Sequence, residues 1–186
     1  MYQHILRFID LSHNKLIGMF PTWLLHNNTR LQCMNLMNNS FMGILQLPKS
    51  IHDLLHLKIS RNNMNGQLPK NMGMILPKLL NLNLSKNSFE GHIPSSMGEL
   101  PKSIISGCLS LEFLCLSNNN FHGEIFPELM NMTQLNGLFL DNNKFSGKLQ
   151  KGLLKAVLLN ILDLSNNLLS GQIPHWNGNF SRLIYL

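Results

Sequence analysis

Apolar and polar positions alternate along this chain in a unit that returns at nearly constant spacing. The unit begins with three apolar residues in the pattern L-x-x-L-x-L, as at Leu79, Leu82 and Leu84, and continues with N-x-Φ-x-G, in which Φ is apolar. The second pattern occurs seven times, and successive asparagines are 25, 23, 25, 32, 24 and 24 residues apart. Seven matches in register indicate a repeat protein.

Each part of the unit has a structural role. Alternation in L-x-L predicts a strand with one buried face. The asparagine stands where the strand must turn, and its amide offers both donors and an acceptor. A buried backbone group without a partner costs about 1–3 kcal/mol, so one asparagine per unit is predicted to bond the backbone of its own and the adjacent turn. This predicted ladder consists of Asn14, Asn39, Asn62, Asn87, Asn119, Asn143 and Asn167.

The remaining positions complete the coil. The apolar Φ residue is predicted to fill the core behind the bend, and the glycine permits backbone conformations closed to other residues. The return legs, such as Thr22–Asn27 and residues 128–132, are long enough for only a turn or two of helix.

The repeated string resembles a known family. The form LxxLxLxxNxΦxGxIPxxL, with a period of about 24 residues, is similar to the leucine-rich repeats of plant extracellular proteins. The run CLSLEFLCLSNNNFHG at residues 108–123 resembles the ectodomains of plant receptor-like proteins. The resemblance covers essentially the whole chain. It implies an α/β fold: a right-handed leucine-rich-repeat solenoid, a curved superhelix with a parallel β-sheet on the concave face and short 3-10 or α-helical turns on the convex face.

We interpret residues 1–186 as a single array of seven repeats and a truncated eighth that begins at Leu183. The 32-residue interval between Asn87 and Asn119 predicts an irregular convex insertion at 95–110, either a repeat that lost its strand or a plain insertion, while the sheet continues from Leu84 to Leu114. The cysteine-paired N- and C-terminal caps that the resemblance implies are not found. We therefore expect a fragment or truncated product that aggregates or unfolds readily by itself.

Composition narrows the possible partners and compartments. The chain has 38 Leu and 25 Asn among 186 residues, only 13% charged residues and a net charge of +6. The basic residues are scattered, which argues against a nucleic-acid partner. Residues 1–10 lack the features of a signal peptide, and no apolar stretch is long enough to span a bilayer. The resemblance implies the extracellular side of the plasma membrane, reached through segments absent from this chain.

Candidate chemistry is sparse. His52 and His56 have the spacing of a helical zinc motif, but they lack its glutamate and its helix. We expect both to be surface histidines, with no metal, no cofactor, no catalytic residue and no enzymatic activity. The three cysteines, Cys33, Cys108 and Cys115, show no zinc-binding spacing and are expected to be unpaired, although a bridge between two of them stays open.

Five N-x-S/T sequons are present. Asn27, Asn131 and Asn179 fall on predicted convex return legs, where a glycan fits the family pattern, and we predict N-glycosylation there. Asn38 and Asn83 fall on the inner face, where a glycan would obstruct binding.

The inner face is the candidate binding surface. Its early half is mostly basic and its later half mostly acidic, with two aromatic residues near the middle, which suggests a bipolar groove with aromatic anchors. The alternative is that strand-exposed positions simply carry soluble residues. The predicted ligand-binding residues are Arg7, Asp10, His13, His56, Lys58, Arg61, Lys86, Glu112, Phe113, Phe139, Asp141 and Asp163, with Phe8, Lys15 and Lys144 also expected on this face.

The resemblance implies the ligand-recognition portion of a plant cell-surface receptor-like protein, acting in defence or development. It would bind a peptide, protein or glycan on the concave face and signal through a co-receptor or receptor kinase. Two alternatives stay open: a secreted inhibitor of a microbial wall-degrading enzyme, similar to polygalacturonase inhibitors, and a truncated, non-functional receptor fragment.

Overall fold

The computed structural model describes residues 5–97, 110–125, 132–149, 153, 156–173 and 182–184. Within them the chain coils as a solenoid, and each coil contributes one strand to each of two parallel sheets. The first sheet is built from the L-x-L segments and was expected. Its seven described strands, in spatial order, are β1 Phe8–Asp10, β3 Cys33–Asn35, β5 His56–Lys58, β7 Asn81–Asn83, β9 Phe113–Cys115, β11 Gly137–Phe139 and β13 Ile161–Asp163.

The second sheet is formed by the N-x-Φ-x-G segments, which the sequence analysis had assigned to a bend. In these segments the Φ side chain points into the core and its two neighbours face outward, so the alternation required for a half-buried strand is present but very short. The seven described strands are β2 Ile17–Met19, β4 Ser40–Ile44, β6 Asn63–Gln67, β8 Ser88–Gly91, β10 Asn120–Glu124, β12 Lys144–Lys148 and β14 Leu168–Ser170.

Strand register is continuous along the first sheet. Leu82 on β7 aligns with Leu57 on one side and with Leu114 on the other, so β7 pairs directly with β9 across the 32-residue interval. Of the predicted insertion at 95–110, residues 98–109 lie outside the described residues, and its outward bulge stays a prediction. The eighth unit begins in the same register, because the N–H of Ile184 donates to the carbonyl of Asn160 at 2.8 Å.

The core lies between the two sheets and the return legs. The leucines of the L-x-x-L-x-L pattern form its first columns, and most of them are fully buried. The Φ residues form another column, in which Phe89, Phe121 and Phe145 are stacked with ring centroids 6.2 Å apart and are fully buried. Each coil therefore buries apolar surface mainly against its two neighbours, so stability depends on stacking.

The asparagine column joins each coil to the preceding one at the corner between the two sheets. The Nδ2 group of Asn62 donates to the carbonyls of Ile59 and Ser60 in its own coil, at 3.0 and 3.2 Å, and to that of Leu36 in the preceding coil at 3.0 Å. Its Oδ1 accepts from the N–H of Phe41, also in the preceding coil, at 3.0 Å. The same set of bonds recurs at Asn39, Asn87, Asn119, Asn143 and Asn167.

The return legs carry the few helices of the described chain. Helix α1 spans Thr22–Asn27, where a short helix was predicted; α2 spans Met72–Ile75, and a 3-10 helix spans Ser95–Met97. Gly73 on α2 packs against the backbone of Ser96, and a Cβ at this glycine would overlap the carbonyl of Ser96. Among the described residues, no helix has the length and apolar character to cross a bilayer.

The prediction that His52 is a surface histidine was wrong. His52 is only 2% exposed, and its Nε2 lies 3.0 Å from the carbonyl oxygen of Asn28. Burial lowers the pKa of His52, although the hydrogen bond to Asn28 and the charge of Asp53 oppose this shift. The imidazole is part of the core between two return legs. The sequence did not indicate this burial, because histidine is a polar residue.

Replacing a buried ladder asparagine is expected to destabilise the solenoid strongly. Asn119→Ala removes three donated bonds and the acceptor for the N–H of Phe89 at a site that is 8% exposed. Because unpaired buried groups cost about 1–3 kcal/mol each, the free energy of unfolding should fall by at least about 3 kcal/mol. Urea denaturation measures it.

The matched control for this substitution is Asn14→Ala. Asn14 is exposed and donates to the carbonyls of Leu11 and Ser12, which water can reach, so its loss should cost less than about 1 kcal/mol. Equal losses for the two variants would show that the ladder bonds do not stabilise the fold.

Stability is expected to fall with acidification because of His52. The folded-state pKa of His52 is lower than its ordinary value of 6.5, so below that pH the unfolded chain binds more protons than the folded chain. The free energy of unfolding should therefore decrease between about pH 7.5 and 5.5. His52→Gln should flatten this dependence in urea titrations, whereas His26→Gln, at an exposed position, should leave it unchanged. An unaltered slope in His52→Gln would contradict the assignment.

Candidate functional site

The outward surface of the first sheet is the candidate site, and we call it the strand face. Each strand turns its middle residue toward the core and its first and third residues toward the opposite side, which produces two rows of residues in register. The first row is Phe8, Cys33, His56, Asn81, Phe113, Gly137 and Ile161. The second row is Asp10, Asn35, Lys58, Asn83, Cys115, Phe139 and Asp163.

The predicted binding residues lie on or beside this face. Six of them are in its two rows: Asp10, His56, Lys58, Phe113, Phe139 and Asp163. Two directly precede a strand, Arg7 and Glu112, and four lie in the turns that follow, His13, Arg61, Lys86 and Asp141. Lys144 was expected here, but it begins β12 in the second sheet.

The turn after each strand contains one residue in the left-handed region. Four of these seven residues are asparagines, and asparagine adopts this conformation at low cost. The other three, His13, Arg61 and Lys86, have φ between 55° and 56°, although long side chains are disfavoured there. Arg61 and Lys86 are adjacent in space, since the N–H of Asn62 donates to the carbonyl of Lys86 at 3.3 Å. The chain thus holds two neighbouring exposed cations in a disfavoured backbone conformation.

The carboxylates of the strand face are engaged in local structure. Asp10 accepts from the hydroxyl of Ser12 at 2.6 Å, from its N–H at 2.9 Å and from the amide of Asn35 at 2.9 Å, and these bonds lower the pKa of Asp10. Asp163 accepts from the N–H and hydroxyl of Ser165 at 3.1 and 2.8 Å. These are turn-forming bonds of the Asx type, so the aspartates also close the strand ends.

Asp141, which stands in a turn, is held in the same way. Its carboxylate accepts from the hydroxyl of Ser117 and from the amides of Asn142, at 2.6 Å, and Asn118, at 3.4 Å. Its negative charge is therefore shared with three neighbouring donors. The acidic half of the predicted bipolar groove consists largely of carboxylates that already have partners.

The cations are in the opposite situation. Among the described residues there is one ion pair, Lys78 with Asp53 at 2.7 Å, and neither residue is on the strand face. The side chains of Lys58, Arg61 and Lys86 make no hydrogen bond or ion pair with any described residue. Three positive groups on two adjacent coils are therefore left without a counter-charge from the described chain.

Phe113 and Phe139 converge over Gly137. A Cβ at Gly137 would lie 2.8 Å from Cδ1 of Phe113 and 2.9 Å from Cε2 of Phe139, so the two rings occupy the space above this glycine. Both rings are half-buried, and Ile161 continues the same row. Sequence reasoning identified both aromatics but missed Gly137, whose role is visible only when β9 and β11 are aligned.

The cysteines and the sequons add no chemistry to the site. Cys33 and Cys115 are unpaired, and burial raises the pKa of both thiols, that of Cys115 to about 11, which disfavours the reactive thiolate. Cys108, Asn131 and Asn179 lie outside the described residues. Asn27 is half-buried at the end of α1, whereas Asn38 is exposed in a turn beside the strand face.

The remaining polar groups and the groove described below lie outside the strand face. Within the described ranges, no group of three His, Cys, Asp or Glu side chains could hold a metal ion. A groove of about 260 Å³ lies at the carboxyl end of the second sheet, lined by Gln67, Leu68, Lys70, His92, Ile93, Pro94 and Ser95. His92 also packs edge-on against His122 on the outer surface of that sheet, with centroids 4.8 Å apart.

Replacing Lys86 with asparagine is expected to stabilise the protein. Lys86 has φ of 55°, and four of the other six equivalent positions are asparagine. The relief of this backbone cost should raise the free energy of unfolding by about 0.5–1 kcal/mol, measured by urea denaturation. Asn142→Lys is the reverse change and should lower it by at least as much, because it also removes the hydrogen bonds of the Asn142 amide with Asp141 and Asn166. A destabilised Lys86→Asn would mean that the lysine side chain contributes to folding.

Comparison with known proteins identifies the family. A family model described as Leucine Rich Repeat matches residues 6–27, 78–100, 110–132 and 158–180. The chain is 44% identical to Receptor-like protein 15 of Arabidopsis thaliana over 156 residues, which cover 75% of this chain and 16% of that protein. It is 43% identical to Cuscuta receptor 1 of Solanum lycopersicum over 147 residues, 68% of this chain and 13% of that protein. The chain thus spans about one sixth of these curated relatives' length.

Solved structures agree with this assignment. The plant peptide hormone receptor RGFR1, in complex with RGF2, has a TM-score of 0.83 and 28% identity over 95% of this chain and 27% of its own. The Arabidopsis receptor kinase HAESA, in complex with the peptide hormone IDA and the co-receptor SERK1, has a TM-score of 0.77 and 28% identity over 97% of this chain and 33% of its own. The predicted leucine-rich-repeat solenoid is confirmed, and the chain belongs to the plant leucine-rich-repeat receptor-like proteins, as part of their ectodomain.

Proposed function

We propose that this chain is the ligand-recognition part of a plant cell-surface receptor-like protein and that it binds its ligand on the strand face. The observation that carries the proposal is the composition of that face: cations without a counter-charge among the described residues and two converging aromatic rings lie on or beside a sheet of seven described strands in register. Aromatic residues and arginine are enriched at protein interfaces.

The mechanism is binding rather than chemical catalysis. Leucine-rich-repeat receptor ectodomains are typically non-enzymatic. The side chains of the strand face are held on short strands whose backbone is bonded to both neighbouring coils. A surface that is already ordered loses little conformational entropy on association, so more of the contact energy appears as affinity.

A peptide is the ligand class that the comparisons favour. The similar structures of RGFR1, PEPR1 and HAESA were solved with the peptides RGF2, AtPEP1 and IDA, and HAESA also with the co-receptor SERK1. By analogy, the longer protein would present this chain outside the plasma membrane and signal through a co-receptor or receptor kinase. N-glycosylation at Asn27, Asn131 and Asn179 is part of the proposal, and a glycan at Asn27 would lie at the end of α1 on a return leg and leave the strand face open.

Peptide panning tests this function. A display library of random linear peptides is selected on the whole chain, and the recovered peptides are measured against two variants by biolayer interferometry. Phe113→Ser/Phe139→Ser alters the strand face, and Met42→Ser/Ile44→Ser removes two exposed apolar side chains from the outer surface of the second sheet. We expect the recovered peptides to bind the first variant at least about tenfold more weakly and the second almost unchanged.

Three results would contradict the proposal. They are a library that returns no binder, peptides that are insensitive to the strand-face variant, and peptides that lose affinity only for the second-sheet variant. Urea unfolding of both variants, with midpoints close to that of the parent chain, shows that altered binding is not caused by unfolding.

A further inference from the structure

We infer that the ligand is a linear peptide that carries an acidic and an apolar side chain three to four positions apart. The acidic group would lie over a cationic cluster formed by Lys58, Arg61 and Lys86, and the apolar group over an aromatic notch formed by Phe113, Gly137 and Phe139. This inference rests on the proposed function and specifies the chemistry of the ligand. It refines the bipolar groove expected from the sequence, since the groups that recognise the ligand are the cations at one end and the aromatic notch toward the other.

The first support is backbone conformation in the cationic cluster. Arg61 and Lys86 both adopt φ of 55°, where asparagine stands in most other coils. A conformation that costs free energy and persists is a sign of a functional constraint. Asparagine would adopt this turn at a lower free-energy cost. The property that Arg61 and Lys86 have and asparagine lacks is a positive charge on an exposed side chain.

The second support is the distribution of charge partners. The cationic cluster has no counter-ion among the described residues, whereas Asp10, Asp141 and Asp163 accept hydrogen bonds from neighbouring Ser and Asn side chains. Lys58 is half-buried in the second row between Asn35 and Asn83. An incoming carboxylate therefore meets cations that need not first release a partner.

The third support is the aromatic notch. The two rings meet above Gly137, a fully covered residue whose missing side chain lets them approach the sheet. Ile161 extends the apolar surface to the next strand. Half-buried aromatic rings that keep an exposed surface are frequent anchors for an apolar side chain of a partner.

Strand spacing sets the separation between the two groups. The cationic cluster is centred on β5 and β7, and the aromatic notch on β9 and β11. Neighbouring strands are about 4.8 Å apart, so Lys58 and the notch are separated by about 10–15 Å across the sheet. An extended peptide advances about 3.3 Å per residue, which places the acidic and the apolar side chains three to four positions apart, with two to three residues between them.

Synthetic fluorescent peptides test the inference by fluorescence anisotropy on the whole chain. The probe has two adjacent aspartates, a Gly-Ser spacer of about three residues and one phenylalanine, as the strand spacing requires. Three comparison peptides replace the aspartates with lysines, replace the phenylalanine with serine, or shorten the spacer to one residue. We expect each to bind at least about tenfold more weakly than the probe, and probe binding to weaken as salt is raised.

Protein variants locate the binding. Arg61→Glu/Lys86→Glu should weaken the probe by at least about tenfold, whereas Lys144→Glu/Lys148→Glu, which makes the same charge change on the second sheet, should change it less than about twofold. Because glutamate is also disfavoured at φ of 55°, Arg61→Asn/Lys86→Asn serves as a second variant that removes charge without adding strain. It should weaken the probe as well.

The outcomes separate this inference from the proposed function. If panned peptides bind the strand face but carry no acidic–apolar pair, or if the lysine peptide binds as well as the probe, the inference is wrong and the proposed function stands. If the probe binds but the strand-face variants do not affect it, both are wrong. Binding of an acidic oligosaccharide such as oligogalacturonate at the cationic cluster, without binding of the probe, would also overturn the peptide assignment.

Discussion

Hydrogen bonding at the corner between the two sheets is the constraint on which this structure depends. A chain that passes from one parallel sheet to another in every coil leaves backbone groups at the turn that neither sheet can pair. Asn62 and Asn119 each donate to carbonyls of two coils and accept an N–H from the preceding one. Since this amide must reach both coils at once, one asparagine is required per coil at a set distance after the strand.

That requirement also explains how irregularity is accommodated. The interval between Asn87 and Asn119 is longer than a repeat, yet Asn119 still bonds the carbonyl of Leu84 at 3.1 Å and β7 still pairs with β9. The ladder and the first sheet therefore continue across the longer interval without a break. The strand face is consequently uninterrupted, and its side chains keep a regular spacing of about 4.8 Å between coils.

Parts of the fold and site could be read directly from local pattern. The strands at Leu82 and Leu114, the helix at Thr22–Asn27 and the positions of Phe113 and Phe139 follow from alternation and repeat spacing. The second sheet could not be read in this way, because each of its strands points at most one apolar side chain into the core and has a glycine close behind it. His52 was also misassigned, since a polar residue gives no local signal that two return legs enclose it.

The charge partners of the strand-face residues could not be predicted from local sequence. The sequence alone was sufficient to establish the coil, its period and its recurrent need for leucine and asparagine, because each depends on residues close together in the chain. It could not tell that Asp141 is bonded by Ser117, or that Lys58 and Arg61 have no counter-charge among the described residues. Ser117 lies about one repeat before Asp141 in the chain, and the two side chains meet only when the strands are stacked in register. The charges that are available to a ligand could therefore be identified only from the assembled coils.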